Sequence, residues 1–116
     1  MLSFHGSPSR TLGVEYELQL LDPRTLDLTD GIIALLKATR GNPYIKSEYN
    51  QCSVEIASRT CEDLAELDAH LRGQVRSLRG SCHDLDMALC SAGSHPRFHR
   101  LAPVTPEPRY REVEAD

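Results

Sequence analysis

Two glutamates stand next but one in Gly13-Val14-Glu15-Tyr16-Glu17-Leu18-Gln19-Leu20, and two more flank the run Glu48-Tyr49-Asn50-Gln51-Cys52-Ser53-Val54-Glu55-Ile56. In an extended segment alternate side chains share a face, so Glu15, Glu17 and Gln19 point one way while Leu12, Val14, Tyr16, Leu18 and Leu20 point the other. The second run divides likewise, with Cys52, Val54 and Ile56 opposite Ser53, Glu55 and Ala57. Carboxylates gathered on one face repel one another and lose hydration unless cations neutralise them. Oxygen-only clusters suit magnesium, with manganese as the alternative, held together with nucleotide phosphates. These spacings therefore suggest half of a metal-nucleotide site. A single glutamate on an open sheet is ordinarily just solvated, so the reading rests on several of them converging.

The elements that would position these residues follow from changes in periodicity. Thr11 to Leu21 alternates as a strand and ends at the turn-prone Asp22-Pro23, after which Asp30 is expected to cap a short helix holding Ile32, Ile33, Leu35 and Leu36. Gly41-Asn42-Pro43 stops that helix. Tyr44 to Tyr49 and Cys52 to Ser58 read as two strands around a tight hairpin at Asn50-Gln51. Thr60 and Asp63 form a capping-box-like start to a long amphipathic helix marked by Leu64, Leu67, Leu71, Val75, Leu78, Cys82 and Leu85. Met87 to Ala92 reads as a fourth strand leading into Gly93-Ser94-His95-Pro96. The order β-α-β-β-α-β predicts an α+β fold, a four-stranded antiparallel sheet with both helices on one face and the glutamates on the other. The organisation is an N-terminal segment over 1–10, the β-α-β-β-α-β unit over 11–96, and a Pro-rich loop and charged tail over 97–116.

Composition narrows the partners. The chain has 116 residues, 40% hydrophobic and 26% charged, which fits one globular domain. A net charge of -4 without a Lys/Arg run gives no footprint for nucleic acid. No stretch approaches the roughly 20 apolar residues that span a bilayer, and Met1 to Arg10 has no apolar signal core, so a cytoplasmic location is expected. Cys52, Cys61, Cys82 and Cys90 form no CxxC pair and read as reduced structural thiols. A zinc site from Cys82, Cys90, His95 and His99 would need closer spacing within its cysteine pair.

Four ordered blocks carry a resemblance. Thr11-Leu12-Gly13-Val14-Glu15-Tyr16-Glu17-Leu18-Gln19-Leu20-Leu21-Asp22-Pro23 resembles the first strand of carboxylate-amine ligases of the glutamate-cysteine ligase type 2 family. Glu48, Ser53-Val54-Glu55-Ile56-Ala57-Ser58 and Cys61-Glu62-Asp63-Leu64 resemble its second block. Ala92-Gly93-Ser94-His95-Pro96 and Arg109-Tyr110 resemble the third block and the end of the loop after it.

The resemblance implies one repeat of a glutamine synthetase and guanido kinase type fold, and the N-terminal portion of an ATP-dependent ligase. Such enzymes join a carboxylate to an amine through an acyl phosphate. It implies ATP and Mg2+ (or Mn2+), small carboxylate and amine substrates, and metal ligation by Glu15, Glu17, Glu48 and Glu55. His95 and Arg109 become candidates for the substrate region: an arginine fork suits planar anions. Beside these stand a His95 bonded to a loop carbonyl and an exposed tail arginine. No nucleophile motif is present and the catalytic groups are not identified.

Tyr16 stands where many relatives carry another acid, which would weaken the cluster. The family's enzymes are several hundred residues long, so an incomplete active site is expected. The alternatives are a truncated fragment or a non-catalytic remnant serving as a metal, nucleotide or protein-binding module, and a homo-oligomer in which two copies complete the fold.

Overall fold

Apolar alternation and helical periodicity resolve, in a computed structural model describing residues 2–96 and 102–114, into seven elements. They are β1 (Glu15–Leu21), α1 (Ile32–Ala38), β2 (Ile45–Ser47), β3 (Ser53–Ala57), α2 (Leu64–Asp84), β4 (Ala88–Cys90) and α3 (Pro108–Glu114). The strands form one antiparallel sheet in the order β2-β3-β1-β4. The architecture is α+β.

The alternation places Leu18 and Leu20 of β1, Ile45 of β2, and Val54 and Ile56 of β3 on one face. There they pack with Ile32 and Leu35 of α1 and with Leu78 and Cys82 of α2. Leu20, Ile32, Leu35, Val54 and Ile56 are completely excluded from solvent. Both α1 and α2 therefore cover the same face, and neither covers the acidic one. α2 starts on a reciprocal cap: the Asp63 carboxylate accepts from Glu66 N at 2.8 Å, while the Glu66 carboxylate accepts from Glu62 N at 2.7 Å.

Several boundaries differ from expectation for local reasons. β1 begins at Glu15 because the ladder is interrupted before it: Val14 N donates to the Ser58 hydroxyl at 2.8 Å, and Leu12 forms only an isolated bridge with Cys61. Val14 is accordingly exposed, and inward burial starts at Tyr16. The N-cap of α1 is Gly31, not Asp30, and no side chain caps that end. A Cβ on Gly31 would lie 2.1 Å from Met87 Sδ, so this close approach favours glycine. The cap of α2 is Asp63 with Glu66 in place of Thr60 with Asp63.

The largest differences lie around β2. The last β2–β3 pair is Ser47 with Val54, so residues 48–52 are no tight hairpin but a splayed connection that bridges to Val104 through Asn50. Residues 108–114, read as charged tail, form α3. It is tied to the end of β2 where the Tyr110 hydroxyl donates to Ser47 O at 3.1 Å. The loop reading over 97–101 lies outside the described residues.

The cysteines are structural. Cys52, Cys61 and Cys82 are buried, Cys90 is half-buried, and none is in a disulfide. Burial pushes the Cys82 thiol up to about 11, which keeps it protonated at neutral pH. No helix among the described residues is long and apolar enough to cross a membrane.

The core makes one direct prediction. Leu20→Ala empties a fully buried site at the centre of the sheet and should lower unfolding free energy by about 2–5 kcal/mol. Urea unfolding followed by circular dichroism should show a lower midpoint at unchanged slope; an unshifted midpoint would contradict this packing.

Candidate functional site

The β1–β3 register decides which glutamates meet. Glu17 lies directly opposite Glu55, and partners opposite one another in an antiparallel pair share a face. Glu48 enters from the connection after β2. One carboxylate oxygen from each of Glu17, Glu48 and Glu55 lies within 4.8 Å of the other two, a spacing that could hold a metal ion. Glu17 is exposed, whereas Glu48 and Glu55 are half-buried.

Glu15 shares the face but not the cluster. It pairs with Ala57 and lies in an adjoining depression with Lys46 and Ser58. Its charge still reaches the group: loss of hydration, then repulsion from Glu15, Glu48 and Glu17, raises the Glu55 carboxyl above its ordinary value. Lys46, opposite Glu55 on β2, works against that rise. Tyr16 turns to the other face, packs on the core and donates its hydroxyl to Ser91 Oγ at 2.8 Å. A tyrosine here therefore takes nothing from the triad.

From Glu17 and Glu48 an open cleft of about 680 Å³ runs past Gln19 and Ser53 to Ser91 and His95. His95 is buried at its far end, with Nε2 bonded to Leu26 O at 2.7 Å. That carbonyl is presented by the turn after β1, where the Asp22 carboxylate accepts from Arg24 N and Thr25 N and Leu26 adopts φ 61°. The structure thus brings His95 to the same cleft as the glutamates, in the carbonyl-bonded form.

Arg109 is placed elsewhere. Its Nη2 donates to Ser47 O at 3.2 Å and to Ser47 Oγ at 3.1 Å, its Nε donates to Glu107 at 3.2 Å, and its guanidinium stacks 4.3 Å over the Tyr110 ring. The Ser47 hydroxyl also donates to the Glu107 carboxylate. Arg109 is committed to holding α3 against β2. The zinc reading finds no support among the described residues, since Cys82 is in the core; His99 lies outside them.

Two residues without an assigned role support the site. Gln19, on the acidic face by alternation, has a buried side-chain oxygen with no hydrogen-bond partner at the cleft wall. Thr105, fully buried, donates its hydroxyl to Glu48 O at 2.6 Å. The strand pattern could flag Gln19, but no local pattern marks Thr105.

The triad suits a hard cation. Two oxygens each about 2.1 Å from one magnesium ion stand roughly 3–4 Å apart, so the observed spacing needs only small side-chain adjustments to close on a metal. All donors are carboxylate oxygens, the chemistry that magnesium and manganese prefer.

The sequence pattern of glutamate-cysteine ligase family 2 matches residues 11–115. A protein of Trichormus variabilis is 47% identical over 109 residues, covering 94% of this chain and 28% of its own length. One of Mycobacterium tuberculosis is 39% identical over 114 residues, covering 97% and 30%. One of Gloeobacter violaceus is 36% identical over 117 residues, covering 97% and 32%. All three carry the provisional name glutamate-cysteine ligase 2. The chain spans about three tenths of the length of these relatives.

The raised Glu55 carboxyl has a consequence for stability. A folded value above the unfolded one means the folded state holds its proton more tightly. Without metal, this contribution is therefore present at low pH and is lost as pH rises past the ordinary glutamate range to the raised folded value. Glu55→Gln, which cannot ionise, should raise Tm at neutral pH in chelator and flatten its fall across that window. A variant melting below the wild type at pH 7 would show that the cluster is not repulsive.

Proposed function

The chain belongs to glutamate-cysteine ligase family 2, and from that premise we propose that Glu17, Glu48 and Glu55, with Glu15 beside them, form the metal-holding part of an ATP-dependent carboxylate-amine ligase site. The observation that carries the reading is the convergence of three carboxylate oxygens within 4.8 Å at the edge of an open cleft. The α+β sheet with α1 and α2 on one face supports one repeat of a glutamine synthetase and guanido kinase type core.

In this reading a substrate carboxylate attacks the γ-phosphorus of ATP, ADP leaves, and an amine then displaces phosphate from the acyl phosphate. A bound magnesium or manganese ion supplies charge neutralisation at the phosphate oxygens. The chain's own residues supply the rest of its share. Glu17 and Glu55 are aimed by the strand register, Glu48 by the connection after β2, and the open cleft beside them leaves room for a nucleotide. His95 shapes the far end of the cleft, where a substrate group would lie. Arg109 would have to release Ser47 and Glu107 to reach a substrate, so its role is in holding α3. Four reduced cysteines agree with a cytoplasmic setting.

A second reading, a non-catalytic module that self-associates, draws on the sheet edge. β4 pairs only with Gln19, Leu20 and Leu21, so the rest of that edge of β1 has no strand partner among the described residues. Sedimentation separates the two: a monomer at micromolar concentration removes self-association.

Calorimetric titration of Mg-ATP, and of Mn2+ alone, into the purified chain tests the principal reading. Binding by the wild type, weakened tenfold or more by either Glu17→Gln or Glu55→Gln, is the expected result, with affinity rising as pH climbs and Glu55 deprotonates. Binding that both variants retain in full would place the ligand elsewhere.

A further inference from the structure

Glu48 is the triad member that no strand holds. β2 ends at Ser47, and residues 48–52 bow outwards before β3 begins. What fixes them is a strap from the far end of the chain. Thr105 grips two successive carbonyls, its hydroxyl donating to Glu48 O at 2.6 Å and its amide to Tyr49 O at 2.8 Å. On the other side of the bridge Gln51 N donates to Pro103 O at 2.9 Å and Gln51 Nε2 to Val104 O at 2.9 Å. Just beyond, Glu107, Arg109 and Tyr110 converge on Ser47, and Tyr49 stacks edge-on against Tyr110 at 5.7 Å. The Glu48 carboxylate itself accepts from Tyr49 N at 2.7 Å, so its aim depends on the peptide that Thr105 grips.

We infer that Thr105 is a positioning residue for the metal-holding triad: its buried hydroxyl sets the Glu48–Tyr49 peptide and so brings the Glu48 carboxylate to Glu17 and Glu55. The inference rests on the metal reading above. Thr105 is wholly excluded from solvent, so no water replaces the hydroxyl if it is removed. Valine keeps the shape and the amide bond but leaves Glu48 O without its donor, whereas serine keeps the donor. Groups that orient a ligand residue from behind commonly change metal affinity by roughly 10–100-fold.

The test is Mn2+ binding to the chain, read by water-proton relaxation, for wild type, Thr105→Val, Thr105→Ser, Glu48→Gln and the double variant Glu48→Gln/Thr105→Val. Thr105→Val should bind roughly tenfold more weakly, Thr105→Ser should recover wild-type affinity, and Thr105→Val should add no loss once Glu48 is already glutamine. Equal affinities for wild type and Thr105→Val, or the same loss with and without the Glu48 carboxylate, would overturn the role of Thr105 while leaving the metal reading intact. No Mn2+ binding by the folded wild type would overturn both. Should Thr105→Val fail to fold, Thr105→Ala removes the same donor from a smaller side chain. A folded Thr105→Ala chain that binds Mn2+ as tightly as wild type would equally overturn the inference.

Discussion

The pairing of Glu17 with Glu55 across β1 and β3 is the constraint on which the remainder of the site depends. Side chains alternate with a period of two, so a slip of one residue would turn Leu18 and Leu20, or Val54 and Ile56, out to solvent and drive the glutamates into the core. The apolar face thus specifies the acidic face without touching it. Like charges directly opposite on a sheet are unfavourable. The register survives because what it buries outweighs that repulsion: Leu20, Val54 and Ile56 have no exposed surface, and α1 and α2 close over them.

With α1 and α2 on the apolar face, neither shields the acidic one, and carboxylates gathered there need a counter-charge. Lys46, across from Glu55, supplies part of it. Loss of hydration, joined by the repulsion that Lys46 leaves unbalanced, holds the Glu55 carboxyl above its ordinary value. A divalent cation would relieve it more completely than a proton, because one ion can accept an oxygen from each glutamate. The orphaned side-chain oxygen of Gln19 beside the cluster points the same way: this wall of the cleft carries a polar atom with no partner among the described residues.

Much of this was legible in the sequence, and the reason is local. Leu18, Leu20, Val54 and Ile56 alternate cleanly with Glu17, Gln19 and Glu55, so strand identity, facing and the shared face of Glu17 and Glu55 followed from a period of two. The apolar positions at three- and four-residue steps from Leu64 to Cys82 likewise announced a long helix. Positions failed where a side chain from elsewhere decided the outcome. Ser58 takes the Val14 amide and delays β1; Met87 packs against Gly31 where Asp30 was expected to cap; Glu66, not Asp63, completes the α2 cap. Arg109-Tyr110 carried a resemblance to the family, yet the residues that Arg109 engages are Ser47, Glu107 and Tyr110.

Glu48 shows why such a site cannot be read entirely from pattern. Its partners Glu17 and Glu55 are placed by strands, but the bond that sets its own peptide comes from Thr105, 57 positions along the chain. That separation costs little in itself, because loop-closure entropy grows only with the logarithm of length. What matters is that the bond is dry, so that satisfying Glu48 O requires the 103–105 segment to dock. Ser47 makes the arrangement cooperative: it pairs with Val54 in the sheet while accepting Arg109 and Tyr110 on its carbonyl and donating to Glu107. The end of β2 is thereby satisfied only when α3 is seated. Two carboxylates of the triad are consequently fixed by the sheet, and the third is fixed only when the C-terminal segment has folded against it.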